Sequence, residues 1–377
     1  MLDATDPNAL VVETARRYAQ ERLAPTAAAR EKAGRIEPEV IRELGEMGFL
    51  GATCSADWGG SELPYETYAQ VVEEIAAGDG SVSTLVSVHN APTCEILQRF
   101  ATEAQKERWF RPLASGQAVG SFALTEPGAG SDAAGIRTRA VRRGDSYVIN
   151  GAKQFISNAI VGQTTILFAV TDPDAGKRGI SAFVVANDAP GFHVARVEHK
   201  LGQKASDSCA LSFEDMEVAE DQRIGAEGEG LKIALSTLES GRIGIAAQSV
   251  GLARGALDYA VAYAKERKQF GGKAIIEHQA VSFRLVDAKT RLAAARELTL
   301  KAARLKDAGE PALEAAAMAK LFASEAAEAI CSAAIQTLGG YGYLADYPVE
   351  RMYRDVRVCQ IYEGTSDVQK IILSRML

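Results

Sequence analysis

The apolar residues of this chain change their period twice, and that double change limits its possible folds more than any other feature. In the first third, Tyr68, Val71, Val72, Ile75 and Ala76 fall at i, i+3, i+4, i+7 and i+8, one face of a helix closed by Gly78. A second helix is expected after Glu37-Pro38, burying Val40, Ile41, Leu44 and Met47 and stopping at Gly48. Between Val119 and Val218 the pattern becomes short β-branched and aromatic runs: Tyr147-Val148-Ile149, Thr164 to Val170, Ile180 to Ala186 and Cys209 to Phe213. Gly144-Asp145, Asn150-Gly151 and Asp172-Pro173 read as the turns between them. No long helical pattern separates these runs, so the strands are expected to pair antiparallel in a small barrel or sandwich. After Gly225, Gly228 and Gly230 the helical period returns, and Val281, Leu285, Ala288, Leu292 and Ala295 keep an alternating 4,3 spacing. Breaks at Gly271-Gly272, Gly309-Glu310-Pro311 and Gly339 to Gly342 divide this part into about four helices. The expected fold is α+β and multidomain: an N-terminal α-helical domain (1–118), a middle antiparallel β-barrel or sandwich (119–225) and a C-terminal four-helix bundle (226–377).

Composition narrows the function. A chain of 377 residues with 47% hydrophobic content can bury a sizeable core. Its 42 basic residues against 49 acidic ones, with no dense Lys/Arg run, argue against a nucleic-acid partner. No apolar stretch approaches the roughly 18–20 residues of a membrane span, and Met1 to Leu10 is acidic without an apolar core. A protein without membrane insertion is expected, in a bacterial cytoplasm, or in the mitochondrial matrix if the chain is a processed organellar protein. Cys54, Cys94, Cys209, Cys331 and Cys359 are scattered and odd in number, which suits a reducing compartment. The four histidines show no paired ligand spacing, so no metal is expected.

Four segments carry the residue types of a chemical site. Phe122 to Asp132 places hydroxyls, a carboxylate and two glycines where a strand runs into a loop; a tight polar turn is the plainer reading. Gly128 and Gly130 lack the third glycine of a dinucleotide fingerprint, since residue 133 is alanine, and no βαβ unit surrounds them. Gln336 to Gly342 and Glu266 to Gly271 both lie at helix ends, where glycines cap and Arg267 suits either a diphosphate or the helix dipole. In Ile361-Tyr362-Glu363-Gly364-Thr365-Ser366, Glu363 is either a solvated charge at a helix start or a carboxylate in an apolar pocket. The second setting raises its pKa toward working pH and makes it a proton acceptor at carbon.

In this order the segments resemble the acyl-CoA dehydrogenase family: TEPGAGSD at 125–132, ERKQFG at 266–271, QTLGGYG at 336–342 and IYEGTSDVQK at 361–370. WGGSELPYETYAQVVEEIAAGDGS (58–81), INGAKQFISNA (149–159) and LESGRIGIAAQSVG (238–251) resemble family segments in the same order, so the likeness covers nearly the whole chain. It implies an FAD enzyme that converts an acyl-CoA thioester to the trans-2-enoyl-CoA and passes electrons to an electron-transfer flavoprotein. By that resemblance Glu363 takes the α-proton and the flavin takes the β-hydride. The Glu363 backbone N–H and an FAD ribityl hydroxyl then hold the thioester carbonyl, where developing enolate charge needs donors.

The same resemblance assigns the flavin contacts. Phe122, Leu124, Thr125, Gly130 and Ser131 come from the first loop, and Phe155, Ile156 and Ser157 lie near the isoalloxazine, Phe155 standing where tryptophan is common. Arg267, Phe270, Gln279, Gln336, Leu338, Gly339 and Gly340 reach FAD across a subunit interface, and Thr365 and Asp367 lie on its adenine side. A homotetramer, a dimer of dimers, is implied. Ser131, Glu239, Ser240, Gly241, Arg242, Tyr362 and Gly364 match substrate contacts. Isovaleryl-type members carry the base just before the position of Arg242; Gly241 stands there in this chain, which leaves Glu363 as base and favours a straight or short-branched acyl group. The SVHN stretch around His89 points the same way. The run from Phe270 to Gln279 is one residue longer than the family spacing, with Gly271-Gly272 as the insertion. An acyl-CoA oxidase on the same fold and a catalytically silent acyl-CoA- or flavin-binding paralogue are the alternatives.

Overall fold

Helix, sheet and helix follow one another as the periodicity predicts. The computed structural model describes residues 6–377, so the first five residues of the acidic Met1–Leu10 stretch lie outside the described residues. The main helices are α1 (Pro7–Tyr18), α2 (Pro38–Glu46), α3 (Tyr65–Gly78), α4 (Gly80–Val88), α5 (Gly230–Glu266), α6 (Gln279–Asp307), α7 (Leu313–Leu338), α8 (Pro348–Val356) and α9 (Ser366–Ser374).

All five residues of the predicted α3 stripe are buried. Glu73 and Glu74 on the same helix are buried as well, because α5 and α6 cover the side that the sequence leaves polar. A buried carboxylate needs a partner, and Arg254 supplies one to both, at 3.1 and 2.6 Å, with Arg296 at 2.9 Å from Glu73 and Arg16 at 3.0 Å from Glu74. In α2, Val40 and Leu44 are buried, whereas Ile41 and Met47, expected inside, are only partly covered against the same core.

The middle sheet runs β6 (Phe192–Val197), β7 (Ser208–Ala219), β3 (Ser146–Ser157), β2 (Arg139–Arg143), β4 (Thr164–Val170), β5 (Ile180–Ala186), β8 (Arg223–Ile224). Its ladder is antiparallel along most of its length, and β4 pairs with β5 from Thr164↔Ala186 to Val170↔Ile180. Two contacts depart from the expected pairing: β1 (Gly120–Ala123) and Arg139 of β2 both lie parallel to β4. β1 enters from the helical region rather than from a hairpin, and it is held there by the buried His89, whose Nδ1 accepts from the Gly120 N–H at 3.0 Å. Its Nε2–H then donates to the Leu113 carbonyl at 3.1 Å, and burial pushes the imidazole down to about 4, so His89 is a neutral structural tie. Asn150-Gly151 is not a turn. It lies within β3 as a bulge, where the register to β7 shifts between Ile149 and Gly151. Gly151 has φ 150°, and a Cβ there would stand 2.6 Å from Thr138 Oγ1.

The C-terminal part has three long helices, α5, α6 and α7, rather than four of similar length; the nine-residue α8 packs across α5 and α7. The 4,3 seam on α6 holds, with Leu285, Ala288 and Ala295 buried and Val281 and Leu292 partly covered. The Gly271-Gly272 break is the tip of a small hairpin, β9 (Lys268–Gln269) against β10 (Lys273–Ala274), in which Phe270, Gly271 and Gly272 all have positive φ. Among the described residues no helix is long and apolar enough to cross a membrane, and no group of three or more His, Cys, Asp or Glu side chains could hold a metal ion.

Candidate active site

Between α8 and α9 the chain turns through two consecutive left-handed residues, Glu363 (φ 54°) and Gly364 (φ 88°), before Thr365 caps α9 by accepting from the Val368 N–H at 3.2 Å. Glycine takes this conformation freely; for glutamate it costs about 1 kcal/mol and persists only where the surroundings enforce it. They do so through two buried side chains. Lys320 Nζ donates to the Gly364 carbonyl at 2.6 Å, and Gln369 Nε2 donates to the carbonyls of Gly364 and Glu363 at 2.9 and 3.2 Å. The neighbouring Tyr362 is anchored as firmly: its hydroxyl donates to Gln248 Oε1 and accepts from Gln203 Nε2, so its phenol is part of an internal network.

The turn aims the Glu363 carboxylate at α5. Oε2 is sealed from solvent without a hydrogen-bond partner, and it lies 2.6 Å from where a Cβ of Gly241 would stand. Burial raises the carboxyl from its ordinary value to about 7, against the opposing pull of Arg242 and Lys320. Ser240 Oγ and Arg242 Nε, from the positions on either side of Gly241 in α5, are likewise buried without partners. Glu239 is half-buried with Lys306 Nζ 3.7 Å away. The carboxylate oxygen of Glu363 and the unengaged guanidinium N–H of Arg242 leave an acceptor and a donor free for a ligand.

The loop after β1 is fixed from below. Glu126 accepts from the N–H groups of Arg137 and Thr138 at 2.6 and 3.0 Å and from the buried Lys153 ammonium at 2.8 Å, and Lys153 also donates to the Leu124 carbonyl at 2.9 Å. Gly130 and Ser131 are left exposed, Gly128 lies in the same loop, and there is open space where a Cβ of either glycine would stand. Phe122 is half-buried edge-on to Phe168, Thr125 is half-buried, and Leu124 is buried. Lys153→Met strands Glu126 without its cation and is expected to cost about 3 kcal/mol, read as a lower urea midpoint; an unchanged midpoint contradicts this account of the loop.

A second irregularity in β3, between Lys153 and Ile156, separates the next three sequence-predicted residues. Phe155 is 65% exposed in a left-handed conformation and Ser157 is half-buried, whereas the Ile156 side chain lies in the sheet core, so at Ile156 only the backbone is available to a ligand. On the bundle, Arg267, Leu338, Gly339 and Gly340 meet in a cleft of about 380 Å³ with Tyr263 and Tyr341, and the Arg267 guanidinium sits 5.7 Å from the centre of the Tyr341 ring. Gly339 and Gly340 again face open space. Gln279 and Gln336 are both exposed and outside this lining, and Phe270, 86% exposed, meets His278 edge-on. Asp367 is exposed in the first turn of α9. Sequence reasoning assigned no role to Lys320, Lys153, Gln248 or Gln203. The available signal was a lysine inside the Ala316, Ala317, Ala323, Ala327 stripe of α7 and another inside a β-strand.

Three family models cover the chain: the acyl-CoA dehydrogenase N-terminal domain over residues 5–117, the middle domain over 121–216 and the C-terminal domain over 228–377. A Clostridium acetobutylicum protein, "Acyl-CoA dehydrogenase, short-chain specific", is 43% identical over 97% of this chain and 96% of its own length. The chain belongs to the acyl-CoA dehydrogenase family. It is thus an oxidoreductase, and acyl-CoA dehydrogenases are FAD flavoproteins. Butyryl-CoA dehydrogenase from Megasphaera elsdenii superposes with a TM-score of 0.97 at 40% identity, over 100% of this chain and 99% of that one. A chain of the solved structure "Electron transferring flavoprotein of Acidaminococcus fermentans: Towards a mechanism of flavin-based electron bifurcation" superposes with a TM-score of 0.97 at 43% identity, with the same coverage.

Proposed function

We propose that this acyl-CoA dehydrogenase oxidises a short-chain or short-branched acyl-CoA to its trans-2-enoyl-CoA, with Glu363 as the base, and hands the electrons to an electron-transfer flavoprotein. The observation that carries the reading is Oε2 of Glu363, sealed and unpartnered against Gly241, in a carboxyl that burial raises to about 7. An α-hydrogen of a thioester is a weak acid, and a desolvated carboxylate titrating near 7 is both anionic enough and basic enough to remove it. The Glu363 N–H presents a donor for the thioester carbonyl, and Arg242 and Lys320 offset the negative charge around the reacting carbon.

The residues of the loop and the bundle cleft fit FAD. The open-faced loop at Gly128 to Ser131 suits close approach of a flat or phosphorylated group, Phe155 offers an exposed ring, and Arg267 with Gly339 and Gly340 offers a cation and bare backbone to a diphosphate. FAD, when bound, supplies the hydride acceptor. Sheet loop and bundle cleft as two separate surface features support a cofactor shared between subunits of a homotetramer. Thr365 and Asp367 are proposed on its adenine side, and Glu239, Ser240 and Tyr362 around the thioester.

Preference for a short acyl group is supported by the α5 face beyond the base. One turn after Gly241, a Cβ at Gly244 would stand 2.6 Å from Ser87 Oγ and 3.6 Å from Tyr68 OH, so side chains from α4 and α3 close that direction. The name of the Clostridium relative and the butyryl-CoA dehydrogenase likeness agree with this. Anaerobic titration of the FAD-loaded protein with four-carbon, short-branched and medium-chain acyl-CoAs tests the proposal. Bleaching of the flavin absorbance by one of the first two is expected; bleaching by none of them contradicts the dehydrogenase reading, and bleaching by the medium chain alone contradicts the short pocket.

A further inference from the structure

We propose that Lys320 is the positioning residue of the proton acceptor: reaching from α7, it clamps the Gly364 carbonyl and sets a positive charge beside the Glu363 carboxylate, which keeps that carboxylate aimed and anionic. The inference rests on the reading of Glu363 as the base. Lys320 is fully buried within a stripe of alanines, a place where any apolar side chain is cheaper than an ammonium. No carboxylate lies within ion-pair distance of it among the described residues, and Gly364 O at 2.6 Å is the acceptor its three N–H donors find. A cation placed at such cost without an ion pair points to a role outside stability.

Its location indicates the role. With Gln369 it saturates the Gly364 carbonyl, which immobilises the Gly364–Thr365 peptide directly after two residues in a row that are left-handed, while Gln369 also holds the Glu363 carbonyl. The charged and titratable groups that bear on the Glu363–Lys320 pair come from three elements. These are Arg242 and Glu239 on α5, Glu325 on α7, and Cys359 in the turn before Glu363. Arg242 belongs to the segment expected to meet the thioester, whereas the hydrogen bond of Lys320 goes to the base turn. Burial draws the Lys320 ammonium down to about 8, which leaves it charged at neutral pH.

Two variants separate charge from shape. Lys320→Gln keeps a donor and loses the charge, and Lys320→Met loses both. In the FAD-loaded proteins, the pH dependence of flavin bleaching by saturating butyryl-CoA and an infrared difference titration of the carboxyl band missing from Glu363→Gln are recorded together. In both variants the midpoint is expected to move to higher pH by about one pH unit, because removal of a nearby cation disfavours the anion. The high-pH rate of Lys320→Met is expected to fall by about tenfold or more, because its carbonyl clamp is gone. Wild-type midpoints in Lys320→Gln overturn the inference, and they do so even if Lys320→Met does not fold. If Glu363→Gln itself bleaches at the wild-type rate, the base reading falls and this inference with it; if Glu363→Gln is silent and the Lys320→Gln midpoint is unmoved, only the role of Lys320 falls.

Discussion

Glu363→Gln is expected to bind FAD and acyl-CoA as the wild-type protein does, and to lower the rate of flavin bleaching by about 10²–10⁴-fold. The amide has the shape of the acid and keeps the turn, since Lys320 and Gln369 hold backbone carbonyls rather than the side chain. What is lost is an oxygen able to take a proton. Rapid mixing under anaerobic conditions reads the rate, and flavin content with thioester titration reads the binding. Equal losses in rate and in binding would point to a folding defect instead, and a rate near wild type would remove Glu363 from the mechanism.

Gly241→Ala is expected to cost about 100-fold in the same rate with little change in FAD content. The added Cβ would stand 2.6 Å from Oε2, 2.8 Å from Cδ and 3.2 Å from Oε1 of Glu363. The helix is packed on both sides of this point, with Ser240, Arg242 and Ile243 all buried, so the carboxylate is the part that moves. A shift of about 1 Å at a reacting group lowers rates by about 10²-fold. Positions 241 and 363 thus reach the same point in space. Bleaching by the Gly241→Ala protein as fast as by the wild type contradicts the close packing of base against helix.

Much of this was legible in the sequence, for identifiable reasons. The runs Thr164 to Val170 and Ile180 to Ala186 became strands with those bounds, because β-branched residues between strong turn signals leave little choice. Asn150-Gly151 misled because the same dipeptide serves a hairpin turn and a bulge, and only the partner strand β7 decides between them. Exposure of Phe155 and burial of Ile156 could not be read from alternation, because β3 carries a second irregularity between Lys153 and Ile156, where left-handed Phe155 reverses the faces set by the buried Lys153. The motifs marked Glu363, but nothing local could tell a solvated helix-start charge from a sealed base. That depends on Gly241 and Lys320, which are far away in sequence and brought together by packing of α5 and α7. Lys153 and Glu126 lay inside the quoted motifs, yet their pairing across the sheet is a property of the folded chain.

The most direct test of the account is exchange of the α-proton, measured apart from hydride loss. The FAD-loaded protein is incubated in deuterated water with a short acyl-CoA analogue whose β-position carries no transferable hydrogen, and deuterium at the α-carbon is followed by mass spectrometry across pH. Exchange that increases as pH rises through about 7 in the wild type and is lost in Glu363→Gln is the predicted result. Exchange at the same rate in both proteins contradicts the central claim.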